Sequence, residues 1–343
     1  MSTRRGEEAY RAAGVDLAAA AVAMDQIRDL AGRASSPGVV SGVGGFAGLY
    51  SLGGGKLLAA ATDGVGTKLE VARMAGRLDT VGIDLVAMSA NDVGCTGATP
   101  LFFLDYLAVE KLVPAEVSAI VSGVAEGCRR AGCALLGGET AEHPGAMGDG
   151  RFDLAGFCVG LVAEDGLLGP HRVRAGDEIV GLLSTGLHSN GYTLVRSALL
   201  EGDGARSLDE VLPATGRTLG QELLEPTEMY VRSLLAMASA GLARAAAHVT
   251  GGGFPENVPR ALPADLGASI DRGRWRPPAI FGVVAEAAGV APEELYGVLN
   301  MGVGMTVIVP KGRSSEAVDI AATAGTPAVV IGEVTEEPGL AFV

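Results

Sequence analysis

Apolar residues come in short runs separated by glycine-rich polar turns, and the period of each run sets the element it predicts. The run KLLAAAT predicts a strand over residues 57–62, and the next periodic stretch predicts a helix over 67–75. A helical stretch is expected through 84–89, a strand over 101–108 and a helix over 115–131. In that last segment Val117, Ile120, Val121, Val124 and Cys128 share one helical face, with Pro114 at the entrance and Gly132 at the exit. Residues 133–137 read as a buried strand delivering the loop GGETAEHPG, and 152–163 as a further strand. The second half repeats strand, glycine loop and helix. A strand over 178–184 leads into TGLHSNG and a helix over 192–200; a strand over 245–249 leads into TGGG and a helix near 256–262. Pro226 is read as opening a helix through EPTEMYVRSLLAMA. NMGVGM reads as the turn before a strand over 306–309. The turn-rich segment 164–176 marks a boundary, so residues 1–168 and 169–343 are expected as two domains.

Composition narrows the class. With 343 residues the chain can bury two cores. Hydrophobic residues at 48%, 52 glycines and only 4% aromatics favour mixed α/β domains packed through small side chains. A formal charge of −14 argues against nucleic acid as a partner, which needs a basic surface. The Arg pair and Ala-rich stretch near the N-terminus resemble a signal peptide, but Asp16 and Asp25 interrupt it. No stretch reaches the roughly 18 apolar residues of a membrane span, and a cytoplasmic location is expected. Cys95, Cys128, Cys133 and Cys158 show no zinc spacing and read as reduced, small hydrophobic residues.

The candidate chemistry gathers at strand ends. TDGVGTK places Asp63, Gly64, Val65, Gly66, Thr67 and Lys68 at one strand terminus. Asp63 suits Mg²⁺, the glycines let backbone approach phosphate oxygens, and Lys68 can neutralise charge. The spacing GxxxxGK[ST] of a P-loop is absent. Asp84 lies among apolar residues and needs a partner. On a helix, seven residues at roughly 100° each bring Asn91 onto its face, with Asp92 adjacent, so Asp84, Asn91 and Asp92 are candidate metal ligands. Glu139, in GGETAE, is a fourth; an exposed acidic loop is the competing reading. In the second half His188, Ser189 and Asn190 follow a strand, where a His can bind phosphate or move a proton. Thr250, Gly251, Gly252 and Gly253, with Asn257, form a plausible anion nest or a tight packing turn. GVGGFAG fits a dinucleotide fingerprint only loosely.

Read in order, YRAAGVDL, GGFAGLY, TDGVGTKL, GIDLVAMSANDVG, PLFFLDYLA, EGCRRAGCALLGGETAE, DLAGFCVG, HSNGYTLVR, TGGGFPENVPR and NMGVGM resemble the phosphoribosylformylglycinamidine cyclo-ligase family, the aminoimidazole ribonucleotide synthetases of purine biosynthesis. The resemblance implies a mixed α/β fold of two domains in an ATP-binding superfamily without a Walker motif. Its N-terminal sheet would join its twin's in a homodimer, and its C-terminal α/β domain would complete a cleft. It implies ATP and Mg²⁺, leaves a monovalent cation open, and gives formylglycinamidine ribonucleotide as the substrate whose formyl oxygen is phosphorylated before ring closure. It further implies that Asp63, Asp92 and Glu139 lie near Mg²⁺ and ATP, and residues 64–68 along the triphosphate. His188, Ser189, Asn190 and the TGGG loop would face the second domain's side. Thr96 and Thr99 stand where relatives carry an amide and an acid near the first-domain site. His143 replaces a Met and Arg28 a Lys. A thiamin-phosphate kinase-like enzyme of the same superfamily, or a non-catalytic nucleotide-binding partner of purine enzymes, are the alternatives. The selenium-dependent dikinase and the hydrogenase maturation relative would need an N-terminal or C-terminal Cys, which this sequence does not show.

Overall fold

The computed structural model describes residues 4–343, so the first three residues of the segment carrying the Arg pair lie outside the described residues. Two helices, α1 (Arg4–Ala12) and α2 (Leu17–Arg33), precede a six-stranded sheet. Its elements are β1 (Val39–Ser41), β2 (Gly48–Gly53), β3 (Lys56–Gly64), α3 (Lys68–Ala75), α4 (Val81–Cys95), β4 (Thr99–Val109), α5 (Pro114–Ala131), β5 (Ala134–Glu142) and β6 (Phe152–Ala163). The strand order is β1-β2-β3-β6-β4-β5, antiparallel except for the β4–β5 pair, which α5 connects. A parallel pair needs such a crossover.

After a linker the chain forms β7 (Glu178–Leu183), α6 (Tyr192–Leu199), α7 (Leu219–Leu223), α8 (Val231–Ser239), β8 (Ala245–His248), α9 (Gly253–Asn257), β9 (Gly267–Ile270), α10 (Ala279–Ala288), β10 (Val303–Val309), α11 (Ser314–Thr323), β11 (Ala328–Thr335) and β12 (Gly339–Phe342). These strands make a second sheet ordered β12-β9-β11-β7-β10-β8. The expected mixed α/β class with two sheets is what the chain adopts. N-terminal α1 reaches across to the second half, where it packs on the turn 292–297. A Cβ at Gly6 would overlap Glu294 O, so glycine permits that approach.

Helix α4 joins the two halves. All of its residues except Asp92 are buried, because one side packs on β3 and β6 and another on β8 and α8. An apolar helix without a polar face is stable only when enclosed in this way.

Three expectations need correction. β5 is not buried: it is the edge of its sheet, Leu136 is 65% exposed, and Glu139 lies within the strand rather than in a loop beyond it. The helix expected from Pro226 begins only at Val231, and Glu225 to Tyr230 run without helical structure. The helix expected near 256–262 is the short α9, followed by a tight 3₁₀ turn over Val258–Ala261.

Candidate active site

Asp63 ends β3, and its Oδ1 accepts from Gly64 N at 2.7 Å. Val65 is buried and Gly66 takes φ +68, a conformation that suits glycine. The backbone of this turn thus faces a cleft of about 410 Å³, lined by Gly66, Thr67, Glu70, Arg151 and Asp153 of the first half and Arg196 of the second. Thr67 Oγ1 meets Thr193 Oγ1 at 3.4 Å across the cleft.

Asp92, on the one partly exposed position of α4, lies 2.9 Å from His248 Nδ1, at the end of β8. The carboxylate accepts, so Nδ1 carries a proton, while the fully buried Nε2 has no partner. Burial pushes the Asp63 carboxyl up to about 6; the Gly64 N–H opposes this, Asp92's charge adds to it and His248 opposes it. Two carboxylates close enough to repel fit a hard divalent cation, which favours anionic oxygen ligands. Among the described residues no three His, Cys, Asp or Glu side chains gather as a metal cage, so a cation here would rely on other oxygens as well.

The helix geometry expected for Asp84 and Asn91 is present, but both side chains serve the segment Glu225 to Tyr230. Asp84 Oδ1 accepts from Thr227 N and Thr227 Oγ1, each at 2.7 Å. Asn91 Oδ1 accepts from Tyr230 N at 2.8 Å, and its Nδ2 donates to Glu228 O at 2.9 Å. With these groups committed, neither is a metal ligand. Lys68 is likewise drawn inward. Its Nζ stands 2.9 Å from both Asp84 oxygens and donates to His188 O at 3.0 Å and Glu225 O at 2.7 Å, with Lys68 and Asp84 both fully buried. Burial lowers its pKa while Asp84 opposes the shift. Lys68 therefore clamps the two halves rather than lying along a triphosphate.

His188 is 1% exposed and takes φ +62. Its Nε2 accepts from Glu228 N at 3.4 Å, leaving Nδ1 without a partner. Burial first, then His248 and Lys68, hold its pKa well below the usual range, so the ring is neutral. Tyr230 stands between the two imidazoles, 6.0 Å from His188 and 6.5 Å from His248 by ring centroids, and donates to Leu183 O at 3.0 Å. The sequence placed His188 on an open cleft; here it belongs to the buried seam beneath it. Ser189 shares that seam through Thr227 Oγ1 at 3.1 Å. Asn190 does turn toward the TGGG loop, its Oδ1 facing the space beside Gly251.

Asn257 is buried and organises the loop rather than lining it. Its Nδ2 donates to Gly251 O and Gly253 O, and its Oδ1 accepts from Arg260, with Thr250 Oγ1 at 3.4 Å. Arg260 stacks on Phe46 and donates to Gly45 O, so GVGGFAG is pinned to the second half. Asn300 fixes TGLH by donating to Gly186 O and Leu187 O.

Glu139 stands apart. Its row runs through Tyr106 and Ala155 to Gly64, three strand spacings or about 14 Å, and its Oε1 accepts from Thr140 N. It does not join Asp63 and Asp92. Thr96 caps α4 by donating to Val93 O, Thr99 opens β4, His143 meets Tyr106 Oη, and Arg28 pairs with Asp25. The Thr96 hydroxyl therefore belongs to a buried helix end.

The sequence reading missed His248, Thr227 and Tyr230. A His closing an all-alanine strand directly before TGGG was the available signal for the first.

Comparison with known proteins agrees with this two-part design. The model of the AIR synthase related protein N-terminal domain matches residues 44–162, and that of its C-terminal domain matches 174–343. A phosphoribosylformylglycinamidine cyclo-ligase from Shouchella clausii is 48% identical over 96% of this chain and 97% of its own length. One from Bifidobacterium animalis subsp. lactis is 47% identical over 96% and 97%. Thiamine-monophosphate kinase from Stenotrophomonas maltophilia shares the fold, with a TM-score of 0.62 at 20% identity over 93% of this chain and 94% of that one. Such low identity carries the fold alone, whereas near-half identity from end to end carries the family: the chain belongs to the phosphoribosylformylglycinamidine cyclo-ligases.

Proposed function

We propose that the protein closes the imidazole ring of 5-aminoimidazole ribonucleotide from formylglycinamidine ribonucleotide, consuming ATP. The observation that carries this is the end-to-end identity with cyclo-ligases. The formyl oxygen attacks the γ-phosphorus and ADP leaves. The nitrogen bearing the ribose then attacks the activated carbon, phosphate departs, and the ring nitrogen loses a proton. Asp63 and Asp92 are the residues that would hold a magnesium ion, which supplies charge neutralisation for the phosphates when bound.

The backbone at Gly66 and Thr67 offers N–H groups to phosphate oxygens, supported by its place on the cleft. Asn190 and the loop Thr250 to Gly253 approach from the other half. Residues 1–168 form the nucleotide and dimerisation domain, and residues 169–343 complete the cleft. A homodimer is supported by the outer face of the first sheet, where Tyr50, Tyr106 and Phe157 are 46%, 41% and 40% exposed. Apolar surface of this kind is a candidate for burial against a second copy. No helix among the described residues is long and apolar enough to cross a membrane; we place the enzyme in the cytoplasm.

The test is ATP hydrolysis with and without formylglycinamidine ribonucleotide, with the product identified by mass. One ADP per aminoimidazole ring is expected. ATP turnover with thiamin phosphate, and none with the formylglycinamidine, would overturn the proposal.

A further inference from the structure

Outside the cleft, three of the four cysteines converge where α5 meets its sheet. Cys128 lies in the last turn of α5 and is buried; Gly132 takes φ +76 and reverses the chain. Cys133 N then donates to Cys128 O at 3.0 Å, the helix-ending pattern that brings the two flanking side chains together. Cys158, in the middle of β6, is the third cysteine of this region, close enough for its charge state and that of Cys133 to influence one another. Only Cys133 is partly exposed. No metal cage forms among the described residues, so these sulfurs are not explained as ligands.

We propose that Cys133 is an oxidation site: a hydroperoxide converts it to a sulfenic acid, and Cys128 resolves that acid to a Cys128–Cys133 disulfide. The Cys133 thiolate attacks the peroxide oxygen, the O–O bond breaks, and hydroxide or alkoxide leaves. The Cys128 sulfur then attacks the sulfenic sulfur, and the S–O bond breaks. The proton of Cys128 passes to the departing hydroxide as water. Two thiols lose two electrons and the peroxide gains them.

Two observations favour this chemistry. The neighbouring Cys128 and Cys158 hold Cys133 below the usual thiol range, which favours the thiolate at the one partly exposed cysteine of the four. The nearby Cys133 sulfur and burial raise Cys128 and Cys158, which stay protonated; Asp105 is the charged neighbour that adds to the effect on Cys128. The choice of partner follows from backbone distance. A disulfide needs Cα atoms roughly 4.4–6.8 Å apart. The bond from Cys133 N to Cys128 O holds those backbones close. Cys158 lies on β6, separated from β5 by β4, about 9–10 Å from the line on which Cys133 begins.

The experiment is peptide mapping of the reduced full chain after a small excess of hydrogen peroxide, alkylation and trypsin digestion without reductant. Arg129 and Arg130 separate the two cysteines, so residues 112–129 and 131–151 are released as separate peptides unless a disulfide joins them. The joined species, two hydrogens lighter than its parts, is expected, with Cys133 oxidised at least about tenfold faster than buried Cys95. Cys133→Ser should abolish it, and Cys128→Ser should leave a dimedone-reactive sulfenic acid at Cys133. A link to the peptide 152–172 through Cys158, equal oxidation of Cys95 and Cys133, or free Cys133 throughout would overturn the proposal. The wild-type map decides this even where a variant fails to fold.

Discussion

Asp92 on α4 and His248 at the end of β8 meet at 2.9 Å, joining the two sheets beside Asp63. This pair sets the charge that Asp63 feels. Because Asp63 is raised to about 6, its anionic form is disfavoured in the folded protein and fills only as pH rises through that value. Nucleotide use with magnesium should therefore fall as pH drops through about 6. Asp92→Asn keeps an acceptor for His248 but removes the neighbouring charge. The acid limb of kcat/KM should move to lower pH, while ATP KM at limiting Mg²⁺ rises because an anionic ligand is gone. Wild-type ATP KM at limiting Mg²⁺ would refute the ligand role, and an unmoved acid limb would refute the electrostatic one.

The same carboxyl makes a stability prediction with a definite sign. A raised acid costs stability once it ionises: the penalty is absent below the unfolded pKa near 3.8 and complete above about 6. Asp63→Asn should stabilise the ligand-free protein at pH 8 by on the order of 2 kcal/mol, and should reduce the Tm gain from Mg²⁺ with an ATP analogue. Calorimetry at pH 5 and pH 8 checks both; a Tm lower than wild type at pH 8 contradicts the burial argument.

Lys68→Met tests whether the lysine clamps or binds nucleotide. Removing one member of a fully buried pair costs about 3–5 kcal/mol because Asp84 is left uncompensated. The variant should melt earlier, yet the protein that remains folded should titrate an ATP analogue with nearly unchanged affinity. Intact Tm with lost nucleotide affinity would restore the phosphate-binding role.

The helix periods were legible because they depend on near neighbours: α5 and its Gly132 exit follow from spacing alone. The shared face of Asp84 and Asn91 was legible for the same reason. Their partners were not, since Thr227 and Tyr230 lie far along the chain. Those bonds also explain the misread helix at Pro226: the backbone N–H groups of Thr227 and Tyr230 are bound by α4 side chains, and Lys68 takes the Glu225 carbonyl. Tertiary hydrogen bonds overrode a local start signal. β5 misled for a related reason, because apolar Ala134 to Leu136 do not reveal that the strand lies at a sheet edge.

Gly304 offers a steric test of the buried seam. A Cβ there would overlap Tyr230 Oη and His188 Cε1 together. Gly304→Ala should destabilise by about 1–3 kcal/mol through overpacking and lower kcat, since both rings must move. An unchanged Tm would show that the seam relaxes freely.

His188 is the residue on which the sequence and the structure differ most. Its left-handed backbone explains why Asn is the conservative replacement: Asn tolerates positive φ and can accept from Glu228 N. As a neutral, buried ring beside Tyr230 and Glu228 N, it is expected to act as a positioning residue. His188→Asn should lower kcat, by up to about 10²-fold if the cleft is displaced by an ångström, with little change in ATP affinity. The pH profile above about 6 should keep its wild-type shape, because an imidazole held well below its usual pKa does not titrate there. His188→Val should be worse, since a β-branched side chain is strained at φ +62. Steady-state kinetics with both substrates across pH, plus direct titration of an ATP analogue, separate the cases. Loss of a titration limb on replacing His188 would make it a proton-transfer residue, and unchanged kcat would leave it a structural member of the loop.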